Sequence, residues 1–124
     1  MTDIEMIQGV FSILEKTLPM HWEKVVFHAQ YGEASYSMEY YVRKTHGKFV
    51  HCFDLPGVDE STLIADFFSM DKVIDEYRKT LRPKDLWAGM TLTVQSDGNF
   101  NVDYAFPNED GDLDEPDWEG KYLK

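Results

Sequence analysis

The sequence predicts an α+β fold in which two amphipathic helices pack on one antiparallel sheet. Three observations support this fold class: helical spacing of apolar residues in two stretches, several short stretches of alternating apolar and polar residues, and tight turns between those stretches. The predicted order of elements is α-β-β-β-α-β-β, a meander of three strands plus a C-terminal hairpin, packed by two helices in a single domain.

The first helix begins at a capping-box pattern and ends before a proline. Thr2 is followed three residues later by Glu5, so each side chain can bond a free N–H group at the helix start. Pro19 ends the helix, because the residue before a proline avoids helical geometry. The apolar residues at three- and four-residue spacing are Ile4, Ile7, Phe11, Leu14 and Leu18.

The second helix has the most regular apolar spacing in the chain. Asp59 can cap its start and Pro83 stops it, so we expect a helix from about Glu60 to Leu81. The residues that share its apolar face are Leu63, Phe67, Met70, Ile74, Tyr77 and Leu81.

Five stretches read as strands, because they are rich in β-branched and aromatic residues or alternate in polarity. They are Trp22 to Gln30, Tyr36 to Lys44, Phe49 to Leu55, Met90 to Ser96, and a returning strand with Phe100, Val102, Tyr104 and Phe106 on its core face. Asp97-Gly98 is predicted to be a two-residue hairpin turn with positive φ at both residues. In the second strand, Tyr41 falls on the more polar face with Glu39 and Arg43, which makes it a candidate interface residue.

Charge and composition exclude several classes of function. The net charge of −11 disfavours direct binding to nucleic acid or anionic membranes, which need clustered Lys and Arg, and favours a basic protein partner unless the acidity serves only solubility. The single Cys52 excludes an internal disulfide and a multi-cysteine zinc site. The N-terminus lacks a signal-peptide pattern and no stretch approaches the roughly 20 apolar residues of a membrane span, so we expect a cytoplasmic protein.

The chain changes in composition after Phe106, which predicts an α+β domain over residues 1–106 and an acidic C-terminal segment, loop or docked tail, over residues 107–124. Trp118 and Tyr122 could pin this segment to the domain. The predicted partner-binding residues combine its charges with aromatic anchors: Asp110, Asp112, Asp114, Glu115, Asp117, Trp118, Glu119 and Tyr41.

A calcium site is the alternative interpretation of residues 108–119. With Asn108 as the first position, acidic residues occupy the third, fifth, seventh and twelfth positions, close to an EF-hand pattern. Leu113 stands where the sharp turn of that loop needs glycine, and the segment follows a strand instead of a helix. No metal is therefore predicted.

Catalytic patterns are missing from the chain. The four histidines show no metal-ligand spacing, and His51 and Cys52 point to opposite faces of a strand, although His28 and His51 could be neighbours. There is no nucleophile elbow and no phosphate-binding glycine loop. We predict no catalytic residue, no cofactor and no enzyme, with dispersed carboxylates as the remaining route to catalysis.

Two motifs carry a resemblance to a known family. Leu18 to Val25 joins a Leu-Pro helix end to a Trp-x-x-Val strand, and Trp87 to Tyr104 contains Trp-x-x-Met-Thr-Leu and Ser-Asp-Gly-x-Phe-x-Val-Asp-Tyr before the acidic run. With the long helix between them, these motifs resemble the YezG/EsaG-like family of bacterial immunity proteins, which are antitoxins to secreted polymorphic toxins.

The resemblance implies a protein that binds and neutralises a cognate secreted toxin domain, often a nuclease, by covering its active or substrate-binding surface. The family has no shared catalytic motif to transfer. An adaptor or chaperone-like module for a basic secreted protein is the alternative, and it would bind without inhibiting. The oligomeric state stays open, because either edge of the sheet can pair with another strand.

Overall fold

The computed structural model describes all 124 residues and has the predicted α+β fold, with one five-stranded antiparallel sheet and three α-helices. The helices are α1 (Asp3–Leu14), α2 (Glu60–Arg78) and α3 (Trp118–Tyr122). The strands are β1 (Trp22–Tyr31), β2 (Tyr36–Lys44), β3 (Phe49–His51), β4 (Gly89–Gln95) and β5 (Phe100–Ala105). The chain divides into two compact units, Met1–Met20 with Phe53–Leu86, and His21–Cys52 with Trp87–Lys124.

In the first unit, α1 starts at the predicted capping box. The Glu5 N–H donates to the Thr2 hydroxyl at 3.2 Å, and the Thr2 N–H donates to the Glu5 carboxylate at 3.1 Å. The hydrogen bond from the Thr2 backbone lowers the pKa of Glu5. The buried face differs from the predicted one, because Ile4 is exposed whereas the α1 residues buried are Met6, Ile7, Val10 and Leu14. The helix is also shorter than predicted, since Glu15–Thr17 tightens into a 3-10 turn before Pro19.

The second helix of this unit keeps its predicted start and apolar spacing. The Asp59 carboxylate accepts the Thr62 N–H at 3.3 Å, which confirms Asp59 as the cap. The residues of α2 that are buried are Leu63, Phe67, Met70 and Ile74. The helix ends at Arg78, before the predicted Leu81. None of the helices is long and apolar enough to span a membrane.

In the second unit, the strands lie in the order β3-β2-β1-β4-β5. The predicted three-stranded meander and the predicted hairpin are both present, and β1 pairs with β4 where they join. Phe27 of β1 sits opposite Tyr40 of β2 and Leu92 of β4, and all three are fully buried. Strand alternation gives the sheet one apolar buried face and one polar face, as the burial of β2 shows.

Three predictions about the strands are wrong in detail. The third strand ends at His51, because Cys52–Asp54 turns into a 3-10 helix before Pro56. In the β4–β5 hairpin only Gly98 has positive φ, so the loop is a type I turn closed by a left-handed glycine instead of a turn with two positive φ angles. Phe100 and Phe106, predicted to face the core, are 50% and 54% exposed, because Phe100 lies on the edge strand β5 and Phe106 lies beyond the end of that strand.

Candidate functional site

One face of the sheet carries polar side chains at its centre. His28 of β1 lies opposite Glu39 of β2 and Thr91 of β4, and Thr91 lies opposite Asp103 of β5. Residues two apart on a strand share a face, so these side chains form one surface. We call it the polar face and define it by His28, Gln30, Glu39, Tyr41, Thr91 and Asp103.

The C-terminal segment, residues 107–124, is anchored on the polar face by Trp118. The indole stacks on the His28 ring, with centroids 4.1 Å apart and planes 11° apart, and its N–H donates to the Thr91 hydroxyl at 2.9 Å. Trp118 is only 8% exposed, so it serves as an internal anchor of the segment. Trp118 also begins α3. This helix was not predicted, because acidic residues dominate the sequence around it.

A second anchor is the Glu115 carboxylate, which reaches the same histidine. Its Oε1 lies 2.9 Å from His28 Nε2 and accepts from Gln30 Nε2 at 3.1 Å. Because an ionised carboxylate only accepts, His28 carries a hydrogen on Nε2. Gly89 makes room for this contact, since a Cβ there would lie 3.1 Å from Glu115 Oε1. The side chains of His28 and Glu115 are 7% and 12% exposed, so the hydrogen bond is shielded from water.

Next to this anchor, Glu39 organises the side chains of β2 and β3. Its Oε2 lies 3.0 Å from His51 Nε2, and the His51 ring packs edge-on against Tyr41. Burial, together with the nearby Glu39 charge, raises the pKa of Tyr41 to about 12. Tyr41 also lies 5.9 Å from Trp118 between ring centroids. The tyrosine therefore supports the anchored segment as a neutral aromatic side chain.

The end of the chain is held at two further points. The Tyr122 hydroxyl donates to Asp103 at 2.9 Å. Burial is the main cause, and this hydrogen bond the second, of a pKa of Tyr122 that is raised to about 12. Arg43 donates to the Lys124 carbonyl and to Glu23, both at 2.7 Å. The segment from Glu115 to Lys124 thus contacts β1, β2, β4 and β5 through specific hydrogen bonds.

The predicted site residues fall into two groups in the structure. Tyr41 belongs to the polar face, and Glu115 and Trp118 lie against that face. The others are exposed: Asp110, Asp112, Asp114, Asp117 and Glu119. Contacts with the sheet therefore hold a segment whose remaining carboxylates point to solvent. That a partner protein binds these carboxylates stays a prediction.

The loop that resembled a calcium site makes its own hydrogen bonds. The Asn108 side-chain oxygen accepts from the Asp110 and Asp112 N–H groups, both at 3.0 Å. An asparagine bonded in this way closes a local turn. No group of three or more His, Cys, Asp or Glu residues is placed to hold a metal ion.

Charge is distributed unevenly along the sequence. Residues 1–84 carry thirteen acidic and ten basic residues, whereas residues 85–124 carry ten acidic and two basic ones. The last 40 residues thus hold −8 of the net charge of −11, and no Lys or Arg lies between Lys84 and Lys121. Such a surface attracts basic partners and repels acidic ones.

Several residues of this site escaped the sequence-based prediction. Gln30, Thr91 and Asp103 were not singled out, and neither was the role of His28 as the platform for Trp118. His28 and Glu115 are 87 positions apart, so no local spacing connects them. The one signal available was strand alternation, which places His28 and Glu39 on the polar side of their strands.

The arrangement suits binding. His28 of the polar face is engaged with Glu115, and most of the charged groups that the C-terminal segment presents outward are carboxylates. A small α+β domain that displays such a surface is typical of a protein-binding module.

The chain belongs to the YezG-like immunity protein family, because the family model described as "Immunity protein YezG-like" matches residues 5–122. This confirms the resemblance found in the sequence. The protein is therefore an immunity protein: its family implies that it binds a cognate toxin, and indicates a non-enzymatic role. No curated protein matches the sequence.

Proposed function

We propose that this immunity protein neutralises a secreted nuclease toxin by covering the toxin's active or substrate-binding surface with its acidic C-terminal part. The observation that supports this is the C-terminal segment, in which seven acidic residues precede the first basic one, Lys121, and which is anchored on the sheet by Trp118 and Glu115. The proposed contact residues are the exposed Asp110, Asp112, Asp114, Asp117 and Glu119.

The chemistry of nucleases supplies the reason. An enzyme that cleaves nucleic acid must meet phosphates with Lys and Arg side chains. Carboxylates held on a folded surface can take the place of those phosphates. Tight inhibition requires that this surface is ordered before binding, because ordering a mobile segment costs binding free energy. The Trp118–His28 stack and the Glu115 hydrogen bonds provide that order here.

The same charge defines what the protein does not bind in this proposal. Nucleic acid and anionic membranes would be repelled by the acidic part, so the partner is a basic protein. The proposed location is the cytoplasm, where an immunity protein meets a toxin before that toxin reaches the nucleic acid of the cell.

A pair of charge-matched variants tests the proposed surface. Asp110→Asn/Asp112→Asn/Asp114→Asn removes three exposed charges from the C-terminal segment. Glu33→Gln/Asp54→Asn/Glu76→Gln removes three exposed charges elsewhere, so both variants have the same net charge. Affinity for the cognate toxin domain is measured by calorimetry. We expect the first variant to bind at least about tenfold more weakly, at roughly 0.5–1 kcal/mol per charge, and the second to bind within about threefold of the unaltered protein.

Equal weakening by both variants would mean that only net charge matters, and would contradict a specific role for the C-terminal segment. Tight binding without inhibition of the toxin would favour an adaptor or chaperone-like role instead. Activity of the toxin domain is therefore measured on the same samples.

A further inference from the structure

The two edges of the sheet differ in how well they are protected from pairing with another strand. β3 spans three residues and turns into a 3-10 helix. β5 spans six residues and pairs with β4 in unbroken register from Phe100 to Ala105. It contains no proline, no lysine and no bulge, and Asp103 is its one charged residue. β5 is therefore the edge open to strand addition.

Backbone geometry shows which groups β5 directs outward. The Gln95 N–H donates to the Asn99 carbonyl at 2.8 Å, and the Ala88 N–H donates to the Ala105 carbonyl at 2.9 Å. The odd-numbered residues of β5 therefore bond to β4. Since bonding direction alternates along an antiparallel strand, Phe100 and Val102 direct their N–H and C=O groups away from β4.

Charge selects the kind of strand that can pair there. Asp103, Asp114 and Glu115 line one hollow beside β5, and Lys121 is the one cation in its lining, so the hollow is acidic on balance. Pairing of β5 with a second copy of itself would bring these like charges together, which is destabilising. A basic strand would meet opposite charges instead. On the other face of β5, Phe100 offers half of its surface to an apolar side chain.

We propose that the β5 edge binds an extended basic segment of the cognate toxin by β-strand addition. Along that segment, every second side chain would be a Lys or Arg that faces Asp103. The side chains between them would be apolar and would face Phe100. Main-chain hydrogen bonds to Phe100 and Val102 supply affinity, and the alternation supplies specificity. The identity of the partner rests on the proposed function, whereas the location and mode of binding are new.

Amide hydrogen exchange measured by NMR tests the mode of binding. Exchange is followed in the free protein and in its complex with the cognate toxin domain. We expect the amides of Phe100 and Val102 to exchange at least about tenfold more slowly in the complex, because each gains a hydrogen bond; a tenfold change corresponds to about 1.4 kcal/mol. The Asn101 amide, already bonded to β4, is the internal reference. A complex in which the Phe100 and Val102 amides exchange as fast as in the free protein would overturn the inference.

A proline variant tests the same edge by affinity. Val102→Pro removes a donor that points away from β4 and leaves the ladder to β4 without a missing bond. Val102→Thr keeps both the N–H and the branched shape, and serves as the control. We expect about tenfold weaker toxin binding for Val102→Pro and a change within about twofold for Val102→Thr. Circular dichroism checks that both variants fold, and if Val102→Pro does not, the exchange experiment decides alone.

The outcomes separate the two proposals. Inhibition of the toxin without protection of the β5 amides would leave the proposed function standing and overturn strand addition. Failure of the toxin to bind would overturn both. Protection of the same amides in the free protein at high concentration, with a dimeric mass, would assign the edge to a second copy and overturn the toxin as its occupant.

Discussion

The two edges of the sheet differ in charge. Around β3, cations and anions are mixed: Lys24 and Arg43 lie over the Phe49 ring at 5.9 and 5.3 Å from its centroid, but Arg43 is paired with Glu23 and His51 with Glu39. Around β5 the charged side chains are acidic, and the next basic residue in the sequence is Lys121. A single sheet thus presents a short edge of mixed charge and a longer acidic edge. The difference shows that the excess of acid is concentrated in the part of the chain that carries the C-terminal segment.

The largest expected effect comes from removing the anchor of the acidic side. Trp118→Ala deletes a buried aromatic side chain and its hydrogen bond to Thr91, so the free energy of unfolding should fall by about 3 kcal/mol. The control is Phe100→Ala, which truncates an aromatic residue that is half exposed on β5 and should cost about 1 kcal/mol or less. Urea unfolding followed by circular dichroism measures both. Equal losses would mean that Trp118 is not an anchor.

A smaller effect is expected when the second anchor loses its charge. Glu115→Gln keeps the shape that fits over Gly89 but weakens the hydrogen bond from His28, so we expect a loss of about 1.5 kcal/mol in unfolding free energy. Glu119→Gln alters an exposed neighbour and should change stability by less than about 0.5 kcal/mol. If both substitutions had the same effect, the His28–Glu115 contact would contribute nothing specific.

Alkaline pH should weaken the contacts of the acidic side. The pKa values of Tyr41 and Tyr122 are raised to about 12 in the folded protein, above the ordinary value near 10. The folded state therefore holds these protons more tightly than the unfolded state does. The stability they contribute is fully present below pH 10 and is lost as the pH rises from 10 to 12. Tyr122→Phe should flatten this part of the stability curve.

The smallest expected effect concerns the β3 edge. Lys48→Gln beside β3 should change affinity for the cognate toxin domain by less than about twofold, because this edge faces no part of the proposed interface. Asp112→Asn should weaken binding measurably under the same conditions. A loss of affinity for Lys48→Gln as large as that for Asp112→Asn would remove the distinction between the two edges.

Local patterns were enough to predict most of the fold. The capping box at Thr2, the cap at Asp59 and the alternation of β2 each depend on a few neighbouring residues, and the structure confirms them. The errors arose where a local pattern was compatible with two structures. The stretch after His51 reads as strand from composition but tightens into a 3-10 helix, and the alternation of β5 gave no sign that Phe100 lies at an open edge.

The candidate site was predictable only in part, because it depends on contacts between distant residues. Acidic composition identified the C-terminal segment, and amphipathic character identified Trp118 and Tyr122 as residues that could hold it. The partners of those residues, Thr91 and Asp103, lie on a hairpin whose place beside β1 no local signal gives. Gly89 shows the same limit, since its role depends on a carboxylate that lies 26 positions later in the chain.

We propose that an anchored acidic surface neutralises a nuclease toxin. The most direct test is to titrate the nuclease activity of the cognate toxin domain with this protein at low and high salt. We expect activity to be lost at a one-to-one ratio, with inhibition that weakens as salt screens the charges. Full toxin activity in the presence of saturating protein, or inhibition unaffected by salt, would contradict the claim.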